Sequence, residues 1–184
     1  MRTLHDAGSI SDKARKLSQV KQYIRPIARF TIKYRIFAQN KYKVAKGSRR
    51  KVRTIRLGKI RDKRGNLSVI EDNKLLPFTI ARTYWVYDVP GGESRGGHAY
   101  HKSEEFIIAL SGSFDLYIHD GKEEQTIHLD RCNKGVYIPA GTWRRMQDFA
   151  TNSIALVISS TPYSPRDYIR SFDRFIQLKE SNAL

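Results

Sequence analysis

The chain has 184 residues, of which 40% are hydrophobic and 11% aromatic, and it carries a formal net charge of +16. This length and composition predict one folded domain with a core of its own and leave room for an appendage. The single cysteine, Cys132, excludes an intrachain disulfide framework and fits a reducing cytosol, and the sequence contains no run of about 18 apolar residues that could span a membrane.

The positive charge is concentrated in the first third of the chain. Residues 1–56 hold 17 Lys and Arg against two Asp, whereas residues 57–184 hold 17 basic and 16 acidic side chains. A basic arm joined to a nearly neutral module differs from a nucleic-acid-binding domain, which carries its charge on the folded surface. We therefore divide the chain into a basic N-terminal extension or linker, residues 1–51, and a folded domain, residues 52–184.

The N-terminal arm has weak structural signals of its own. Ser11 and Asp12 can cap a short helix that Pro26 ends, and the alternation of residues Phe30–Ile36 predicts a strand with a basic outer face. Charged residues interrupt every short apolar stretch, so we expect no signal peptide. The arm is either a solvated tether or an electrostatic clamp for an acidic surface, RNA or lipid headgroups; the tether is favoured, and we expect neither a nucleic-acid nor a membrane partner.

Beyond residue 51 the pattern changes to many short strands separated by turn residues, among them Pro90–Gly92, Asp120–Gly121 and Pro139–Gly141. Strands this short and this closely spaced favour an antiparallel sandwich or barrel over a parallel sheet with crossover helices. The predicted strands are Val52–Leu57, Leu67–Glu71, Phe78–Val89, Glu105–Leu110, Ser113–His119, Gln125–Leu129, Gly135–Ile138 and Ile154–Ser159, followed by a short helix within Ser164–Leu178.

The stretch Arg95–Gly112 carries the densest polar motif of the chain. It begins Arg-Gly-Gly-His-Ala-Tyr-His and continues through two glutamates into an apolar run. Alternate residues of a strand face the same side, so we expect His98 and Tyr100 to point into the fold and His101 to point outward. This layout resembles the first histidine motif of cupins, in which a strand directs His-x-His and a later Glu into a small barrel, usually to hold a metal.

Two of the four ligands of a metal-binding cupin are missing here. Tyr100 stands in the place of the second His, and the second-motif region Gly135–Arg144 ends in Arg where a third His is expected. That leaves His98 with Glu104 or Glu105, and a guanidinium stays protonated and cannot serve as a ligand. We expect no metal and no cofactor, so a barrel of this kind either performs proton chemistry with its side chains or only binds a ligand.

Seven separated stretches follow the pattern of one enzyme family: Lys63–Glu71, Leu76–Tyr84, Arg95–Tyr100, Ser111–Asp115, Gly135–Pro139, Thr142–Arg144 and Asp167–Phe172. On these residues the chain from about Arg53 to Phe175 resembles the metal-free cupins that act as 3,4-ketoisomerases of thymidine-diphospho-4-keto-6-deoxyglucose, the WxcM-like sugar ketoisomerases. The resemblance implies an all-β, cupin-type antiparallel barrel (a jelly roll of the RmlC type) with a short C-terminal helix. It also implies a cytoplasmic homodimer that exchanges N-terminal strands, Val52–Leu57 being the candidate, and a role in deoxy-amino-sugar and lipopolysaccharide O-antigen or other surface polysaccharide biosynthesis.

The resemblance also implies roles for individual residues. In this family a base removes the proton on C3, which the C4 ketone acidifies, and a proton returned to C4 leaves the ketone at C3. His98 is the implied base, since imidazole titrates near neutral pH. Tyr84 matches a tyrosine placed to donate or relay a proton, and Arg82 and Arg95 suit the diphosphate or the developing oxyanion.

Three positions depart from the family pattern. Tyr100 replaces a His: if that His only orients the sugar, Tyr100 can substitute for it, whereas if that His carries a proton, the reaction is slower or different. Arg64 and Arg144 match positions near the sugar C4 that differ between the gluco- and galacto-producing branches. Arginine at both fits neither branch, so the configuration at C4 stays open.

Two further residues each have two alternative roles. Glu71 either hydrogen-bonds the substrate or braces the Arg82 guanidinium, and Trp143 either stacks on thymine or fills the barrel mouth.

The main functional hypothesis is the 3,4-ketoisomerase. The alternatives are a non-catalytic cupin that binds a nucleotide sugar and a 3,5-epimerase of a similar dTDP-sugar.

Overall fold

The computed structural model describes residues 51–72 and 74–184, all of which belong to one unit of the chain, residues 43–184. The helix expected before Pro26 and the strand expected at Phe30–Ile36 lie outside the described residues. Among the helices of the described part, none has the length and apolar character needed to cross a bilayer.

The described part of the chain consists of twelve short strands and one α-helix, with a 3₁₀ turn at Pro165–Asp167. In chain order the elements are β1 (Arg53–Arg56), β2 (Ile60–Asp62), β3 (Gly65–Leu67), β4 (Arg82–Val86), β5 (Arg95–Tyr100), β6 (Glu105–Ser111), β7 (Phe114–His119), β8 (Glu124–Leu129), β9 (Lys134–Ile138), β10 (Trp143–Gln147), β11 (Ile154–Ser159), β12 (Tyr168–Ile169) and α1 (Phe172–Glu180).

Two five-stranded antiparallel sheets contain most of these strands. The first sheet has the order β1-β9-β6-β11-β4, the second has the order β12-β5-β10-β7-β8, and β2 and β3 form a separate hairpin. Every strand pair is antiparallel. The all-β antiparallel architecture predicted from the strand spacing is therefore confirmed.

Side-chain alternation places the core between the two sheets. In β7 of the second sheet, Phe114, Leu116 and Ile118 are buried while the residues between them are partly exposed. In the first sheet, Ile107 and Val157 point inward and pack with these β7 residues in one cluster. Period-two burial is what a sheet shows when one face meets a core, so the apolar alternation of the sequence explains the pairing of the sheets.

The outer faces of both sheets are partly covered as well. Leu75, Leu76 and Phe78, from an irregular segment between β3 and β4, pack on the outer face of the first sheet. On the second sheet, Phe175 of α1 packs against Trp143. Strands buried on both faces read as continuous apolar runs, which explains the four apolar residues of β6 from Phe106 to Ala109, all of them buried.

The structure corrects two of the predicted strands. The strand expected at Leu67–Glu71 ends at its first residue, because β3 closes at Leu67. The strand expected at Phe78–Val89 is limited to β4. Phe78 belongs to the irregular segment that covers the first sheet, so it is buried without being part of a strand. Apolar burial and strand pairing are separate events, and hydrophobicity alone does not distinguish them.

Three strands and the helix start were missed. The strands β2, β10 and β12 were not predicted from the sequence. In β10 the inward-facing residue Arg144 is charged, so the strand lacks the alternation of apolar residues by which it could have been recognised. The helix begins at Phe172 and not near Ser164, because Pro165–Asp167 forms a 3₁₀ turn and β12 then pairs with β5. The side chain of Ser171 caps the helix by accepting a hydrogen bond from the backbone N–H of Arg174.

Gly135 should be required for the packing of β9. A Cβ at this position would lie 2.6 Å from the carbonyl oxygen of Ile107 and 2.6 Å from side-chain atoms of Ile108 and Phe106. We expect Gly135→Ala to lower the free energy of unfolding by about 1–3 kcal/mol, measured by urea denaturation. Gly91→Ala is the matched control, since no atom lies within 4 Å of its added Cβ; equal midpoints for the two variants would contradict this account of β9.

Candidate active site

Inward-facing polar side chains of the two sheets meet where four strands lie close together. In the second sheet, Arg144 of β10 is directly opposite His98 of β5, and Arg144 is also opposite buried Ile118. Directly paired residues share a face, so all three point into the interior. In the first sheet, Ser159 of β11 is flanked by Arg82 of β4 on one side and Glu105 of β6 on the other.

A buried ion pair joins the two sheets at this place. Arg144 is 1% exposed and Glu105 is 2% exposed. The Nε and Nη2 atoms of Arg144 lie 2.9 and 2.8 Å from Oε2 of Glu105. The Tyr84 hydroxyl donates to Oε1 of Glu105 at 2.8 Å and accepts from Nη2 of Arg144 at 3.0 Å. Burial is the largest single influence and acts to lower the pKa of Arg144, but Glu105, Tyr84 and Tyr100 together outweigh it, so this pKa lies above its ordinary value and the guanidinium stays charged.

The remaining guanidinium nitrogen of Arg144 explains the glycine that precedes His98 by two positions. Nη1 of Arg144 donates to the carbonyl oxygen of Gly96 at 2.8 Å. A Cβ on Gly96 would lie 1.7 Å from that same nitrogen, and the φ of Gly96 is +73°. Both the close approach and the left-handed backbone require glycine.

His98 is buried and its ring is held in an aromatic cluster. The residue is 7% exposed, and its ring centroid lies 4.8 Å from the ring centroids of both Tyr100 and Tyr168. Burial is the main cause that lowers the pKa of His98 to about 2, and the charges of Arg144, Arg170 and Arg82 act in the same direction. The imidazole is therefore neutral at physiological pH and able to accept a proton.

The two tyrosines of the site remain protonated. Burial is the largest cause that raises the pKa values of Tyr84 and Tyr100 above the ordinary phenol value, and for both of them the negative charge of Glu105 adds to it. Both hydroxyls are therefore available as hydrogen-bond donors at neutral pH.

Three polar atoms at this site are buried without a hydrogen-bond partner among the described residues. They are Nε2 of His98, the hydroxyl of Tyr100 and Nε of Arg82. Buried polar groups in folded proteins are nearly always satisfied, so three such atoms in one place indicate a binding site for a polar ligand.

Five of the nine predicted site residues are brought together: His98, Tyr100, Tyr84, Arg144 and Arg82. His98 and Tyr100 face inward as their alternation predicted, and His101 is exposed. Of the two glutamates considered with His98, only Glu105 points into the site; Glu104 instead accepts a hydrogen bond from the Tyr137 hydroxyl at 2.8 Å.

The other four predicted residues lie elsewhere in this structure. Arg64 is at the β2–β3 turn, where its 75% exposed side chain pairs with Asp62 at 2.8 Å. Arg95 is exposed at the opposite end of β5 from Tyr100. Glu71, for which the sequence left open a hydrogen bond to the substrate or a brace to Arg82, pairs with Lys74 at 2.9 Å and not with Arg82.

Trp143 lies on the outer face of its sheet, because it precedes inward Arg144 by one residue. It is 8% exposed, and its ring packs against Phe172 and Phe175 of α1 with centroid distances of 5.2 and 5.8 Å. It therefore anchors the helix and does not fill the barrel mouth.

Sequence reasoning missed three residues of this site. Glu105 was considered as a metal ligand and is instead the partner of Arg144. Tyr168 and Arg170 lie in the stretch Asp167–Phe172, to which no role was given, and only the pairing of Tyr168 with Tyr100 reveals their position. The one available signal was the unexplained polar stretch after Pro165.

The donors present do not fit a cupin metal site. The described residues contain no group of three or more His, Cys, Asp or Glu side chains that could hold a metal. His98 is a single imidazole, and both oxygens of Glu105 are engaged by Arg144 and Tyr84.

Comparison with known proteins places this chain in a family. The family model described as "FdtA: WxcM-like, C-terminal" matches residues 50–180. A TDP-4-oxo-6-deoxy-alpha-D-glucose-3,4-oxoisomerase from Aneurinibacillus thermoaerophilus is 40% identical over 123 residues, which are 67% of this chain and 88% of that protein.

Solved structures give the same result for the fold. A mutant of the 3,4-ketoisomerase QdtA from Thermoanaerobacterium thermosaccharolyticum, in complex with TDP-4-keto-6-deoxyglucose, is similar with a TM-score of 0.69 and 34% identity, covering 72% of this chain and 96% of that one. This likeness confirms the predicted cupin-type barrel. ChmJ, a 3'-monoepimerase from Streptomyces bikiniensis, has a TM-score of 0.56 and 14% identity over 64% of this chain and 67% of its own, and shares the fold alone.

The depressed pKa of His98 should make stability depend on pH. Because the pKa is about 2 in the folded state and about 6.5 in an unfolded chain, the unfolded state binds more protons between these values. The free energy of unfolding should therefore fall as the pH drops below about 6.5, by up to about 1.4 kcal/mol per pH unit from this residue.

Urea denaturation between pH 7 and pH 5 measures this contribution. The His98→Asn variant should lose stability less steeply than the wild type as the pH falls, whereas His101→Asn, at an exposed position, should keep the wild-type slope. The same slope in the wild type and in His98→Asn would mean that His98 is not held neutral by the fold.

Proposed function

We infer that this chain, which belongs to the FdtA family of WxcM-like C-terminal domains, is a 3,4-ketoisomerase that converts thymidine-diphospho-4-keto-6-deoxyglucose into its 3-keto isomer. The observation that carries this inference is a neutral imidazole, that of His98, whose Nε2 is buried without a partner among the described residues beside two protonated tyrosines. Such a group can abstract a carbon-bound proton next to a carbonyl without a cofactor.

The first step is proton abstraction from C3. The C4 ketone acidifies this C–H bond, and the electron pair it leaves is delocalised onto the C4 oxygen as an enediolate. His98 accepts the proton, since its ring is neutral and no described residue occupies Nε2. The developing negative charge needs donors that are already in place when it forms.

The second step returns a proton to C4. The protonated His98 gives its proton to that carbon, the hydroxyl proton on O3 is lost as the C3 ketone forms, and O4 gains a proton. Tyr84 and Tyr100 are the groups we assign to donation and relay at these oxygens. Tyr84 is suited to the relay because its hydroxyl both donates to Glu105 and accepts from Arg144.

Arg144 supplies a fixed positive charge behind the tyrosine. Its guanidinium is held by Glu105 and by the backbone of Gly96, so it does not need to reorganise as charge develops on the substrate. We assign it to stabilisation of the enediolate through Tyr84, which makes it a positioning residue.

Tyr100 is the observation that keeps a non-catalytic alternative open. It replaces a second His, and as a protonated phenol it can donate a hydrogen bond but cannot take up a proton as an imidazole does. A cupin that binds the nucleotide sugar and does not isomerise it would have the same pocket. The 3,5-epimerase alternative has weaker support, since ChmJ shares only the fold with this chain.

Membership in this family also leads us to propose an oligomeric state, a pathway and a cellular compartment for the protein. We assign the enzyme to the cytoplasm and to deoxy-amino-sugar biosynthesis for surface polysaccharide, including lipopolysaccharide. The homodimer is supported by the position of β1, an edge strand whose four residues all pair with β9. A strand bound only at an edge can be supplied by a second copy without rearranging the core.

Incubation with the 4-keto sugar nucleotide in deuterated buffer tests the reaction. The wild type should form the 3-keto sugar, read by NMR, and its C4 should carry deuterium where the proton on His98 exchanges with solvent before its return and protium where His98 passes on the C3 proton directly. His98→Asn should lower kcat by about 10²–10⁴-fold while TDP binding persists. His101→Asn, at an exposed site outside the pocket, should retain activity.

Each alternative predicts a different spectrum. Tight TDP binding by the wild type without any 3-keto product would favour the non-catalytic cupin, and deuterium at C5 would favour the epimerase. Normal turnover by His98→Asn would remove His98 from the mechanism.

Sedimentation equilibrium at micromolar protein tests the dimer. We expect a species of twice the chain mass of 21.3 kDa, independent of TDP, because exchange of β1 would join the sheets of two copies. A single species at the chain mass would refute strand exchange.

A further inference from the structure

The strand β12 is too short to be held in place by its own ladder. It has two residues, which pair with Tyr100 and Ala99 of β5, and it lies at the outer edge of the second sheet. Two ladder positions at a sheet edge contribute little stability by themselves. The position of β12 therefore depends on the contacts of the residues that flank it.

Asp167 supplies such contacts immediately before β12. Its Oδ1 accepts a hydrogen bond from the backbone N–H of Lys102 at 2.8 Å, and its Oδ2 accepts from the backbone N–H of Ser103 at 3.1 Å and from the Ser103 hydroxyl. The backbone carbonyl of Asp167 accepts from the N–H of His101 at 2.9 Å. One residue thus binds three consecutive residues of the loop between β5 and β6.

The Ser103 hydroxyl makes this attachment a buried one. Ser103 is 3% exposed, and its hydroxyl also hydrogen-bonds with the hydroxyl of Thr161, on the segment that leads from β11 to β12. Hydrogen bonds to a carboxylate are about twice as strong as neutral ones, and a buried group that loses its partner is left unsatisfied. The loop after β5 and the segment before β12 are therefore fixed to each other.

Tyr168, the residue after Asp167, carries this attachment into the site. Its ring centroid lies 4.8 Å from that of His98 and 4.6 Å from that of Tyr100. The guanidinium of Arg170 stacks on the same ring, with Cζ 4.3 Å from its centroid. The Tyr168 ring is therefore part of the wall that buries the imidazole, and Asp167 fixes the backbone from which this ring projects.

We propose that Asp167, bound by Ser103 and the loop after β5, is a positioning residue that holds the Tyr168 ring against His98 and thereby keeps this imidazole in its reactive orientation. The proposal rests on the proposed function, since it concerns how the base of that reaction is held. A catalytic group has to keep its geometry to within about half an ångström, and a displacement of about 1 Å can cost about 100-fold in rate.

The burial of His98 gives this role a spectroscopic signature. Burial is the largest cause that lowers the pKa of His98 to about 2, ahead of three arginine charges. The charged and titratable side chains of the site are Arg144 from β10, Arg82 and Tyr84 from β4, Glu105 from β6, Tyr100 from β5, Tyr168 from β12 and Arg170 just after it. Displacing β12 exposes the ring while those of the other strands stay in place, so the pKa of His98 should rise towards its ordinary value.

Steady-state kinetics on the full chain test the proposal. Asp167→Ala should lower kcat by about 10–100-fold with little change in KM, because a misplaced base weakens only the transition state. Asp167→Asn should recover part of the rate, since a carboxamide oxygen still accepts one N–H, and Ser103→Ala should have a smaller effect than Asp167→Ala. Asp120→Ala is the matched control: Oδ1 of Asp120 likewise accepts from two backbone N–H groups, at 2.8 and 3.0 Å, but in the β7–β8 turn at the other edge of the sheet, and this variant should keep the wild-type kcat.

NMR of the imidazole ring gives a readout that needs no turnover. In the wild type and in Asp120→Ala the His98 ring should not titrate between about pH 5 and about pH 8. In Asp167→Ala, and less in Ser103→Ala, its midpoint should move towards about 6.5. Loss of the Asp167 negative charge would by itself lower the pKa of His98, so a rise reports exposure of the ring and not the missing charge.

A double-mutant cycle identifies the route through Tyr168. Asp167→Ala should lower kcat far less in a Tyr168→Ala background than in the wild type, because the ring that it positions is then absent. Additive effects of the two changes would overturn the proposal, and so would wild-type kcat with an untitrated His98 in folded Asp167→Ala, while the proposed reaction would stand.

The NMR readout separates this proposal from the proposed reaction. A His98 ring that begins to titrate in Asp167→Ala, in a protein whose wild type does not isomerise, would support the positioning role and refute the reaction. If Asp167→Ala does not fold, Ser103→Ala decides: a lower kcat with a titrating His98 supports the proposal, and wild-type values of both overturn it.

Discussion

The buried ion pair between Arg144 and Glu105 is the constraint on which the rest of the site depends. A charge buried alone would cost several kcal/mol, and removing one partner of such a pair costs about 3–5 kcal/mol. Here the Tyr84 hydroxyl and the Gly96 carbonyl complete the hydrogen bonds of the pair. Because Arg144 belongs to one sheet and Glu105 to the other, satisfying this pair holds the two sheets in one alignment and requires glycine at position 96.

The same pair sets the electrostatics of the reaction. Arg144 occupies the position where a metal-binding cupin has a third imidazole, and it provides a permanent positive charge at the centre of the barrel. Burial, with that charge, keeps His98 neutral, so that the lone pair of its ring is free to accept a proton, although the lowered pKa also makes the imidazole a weaker base than it is in water. Since Glu105 compensates the charge of Arg144, the positive charges near His98 that no described carboxylate pairs with are those of Arg82 and Arg170.

The sequence predicted those parts of the site that depend on local rules. Strand alternation placed His98 and Tyr100 on the inner face, and the family resemblance selected Tyr84, Arg82 and Arg144. The sequence did not predict the position of a residue where that position depends on the face of the sheet it lies on or on a neighbour from another strand. Trp143 was expected at the barrel mouth because β10 was not recognised as a strand, and a one-residue shift of register places it under α1. Glu71 was expected either to hydrogen-bond the substrate or to brace Arg82, but it pairs with Lys74, three residues away.

By itself the sequence determined the antiparallel β architecture, the family and the inward imidazole, because period-two patterns and turn residues act within a few positions along the chain. Only the tertiary structure decided that Glu105 is the partner of Arg144, that Arg64 and Arg95 lie away from the pocket, and that Arg170 lies beside it. These are contacts between strands far apart in sequence. Their register is set by the packing of both sheet faces, which no short segment encodes.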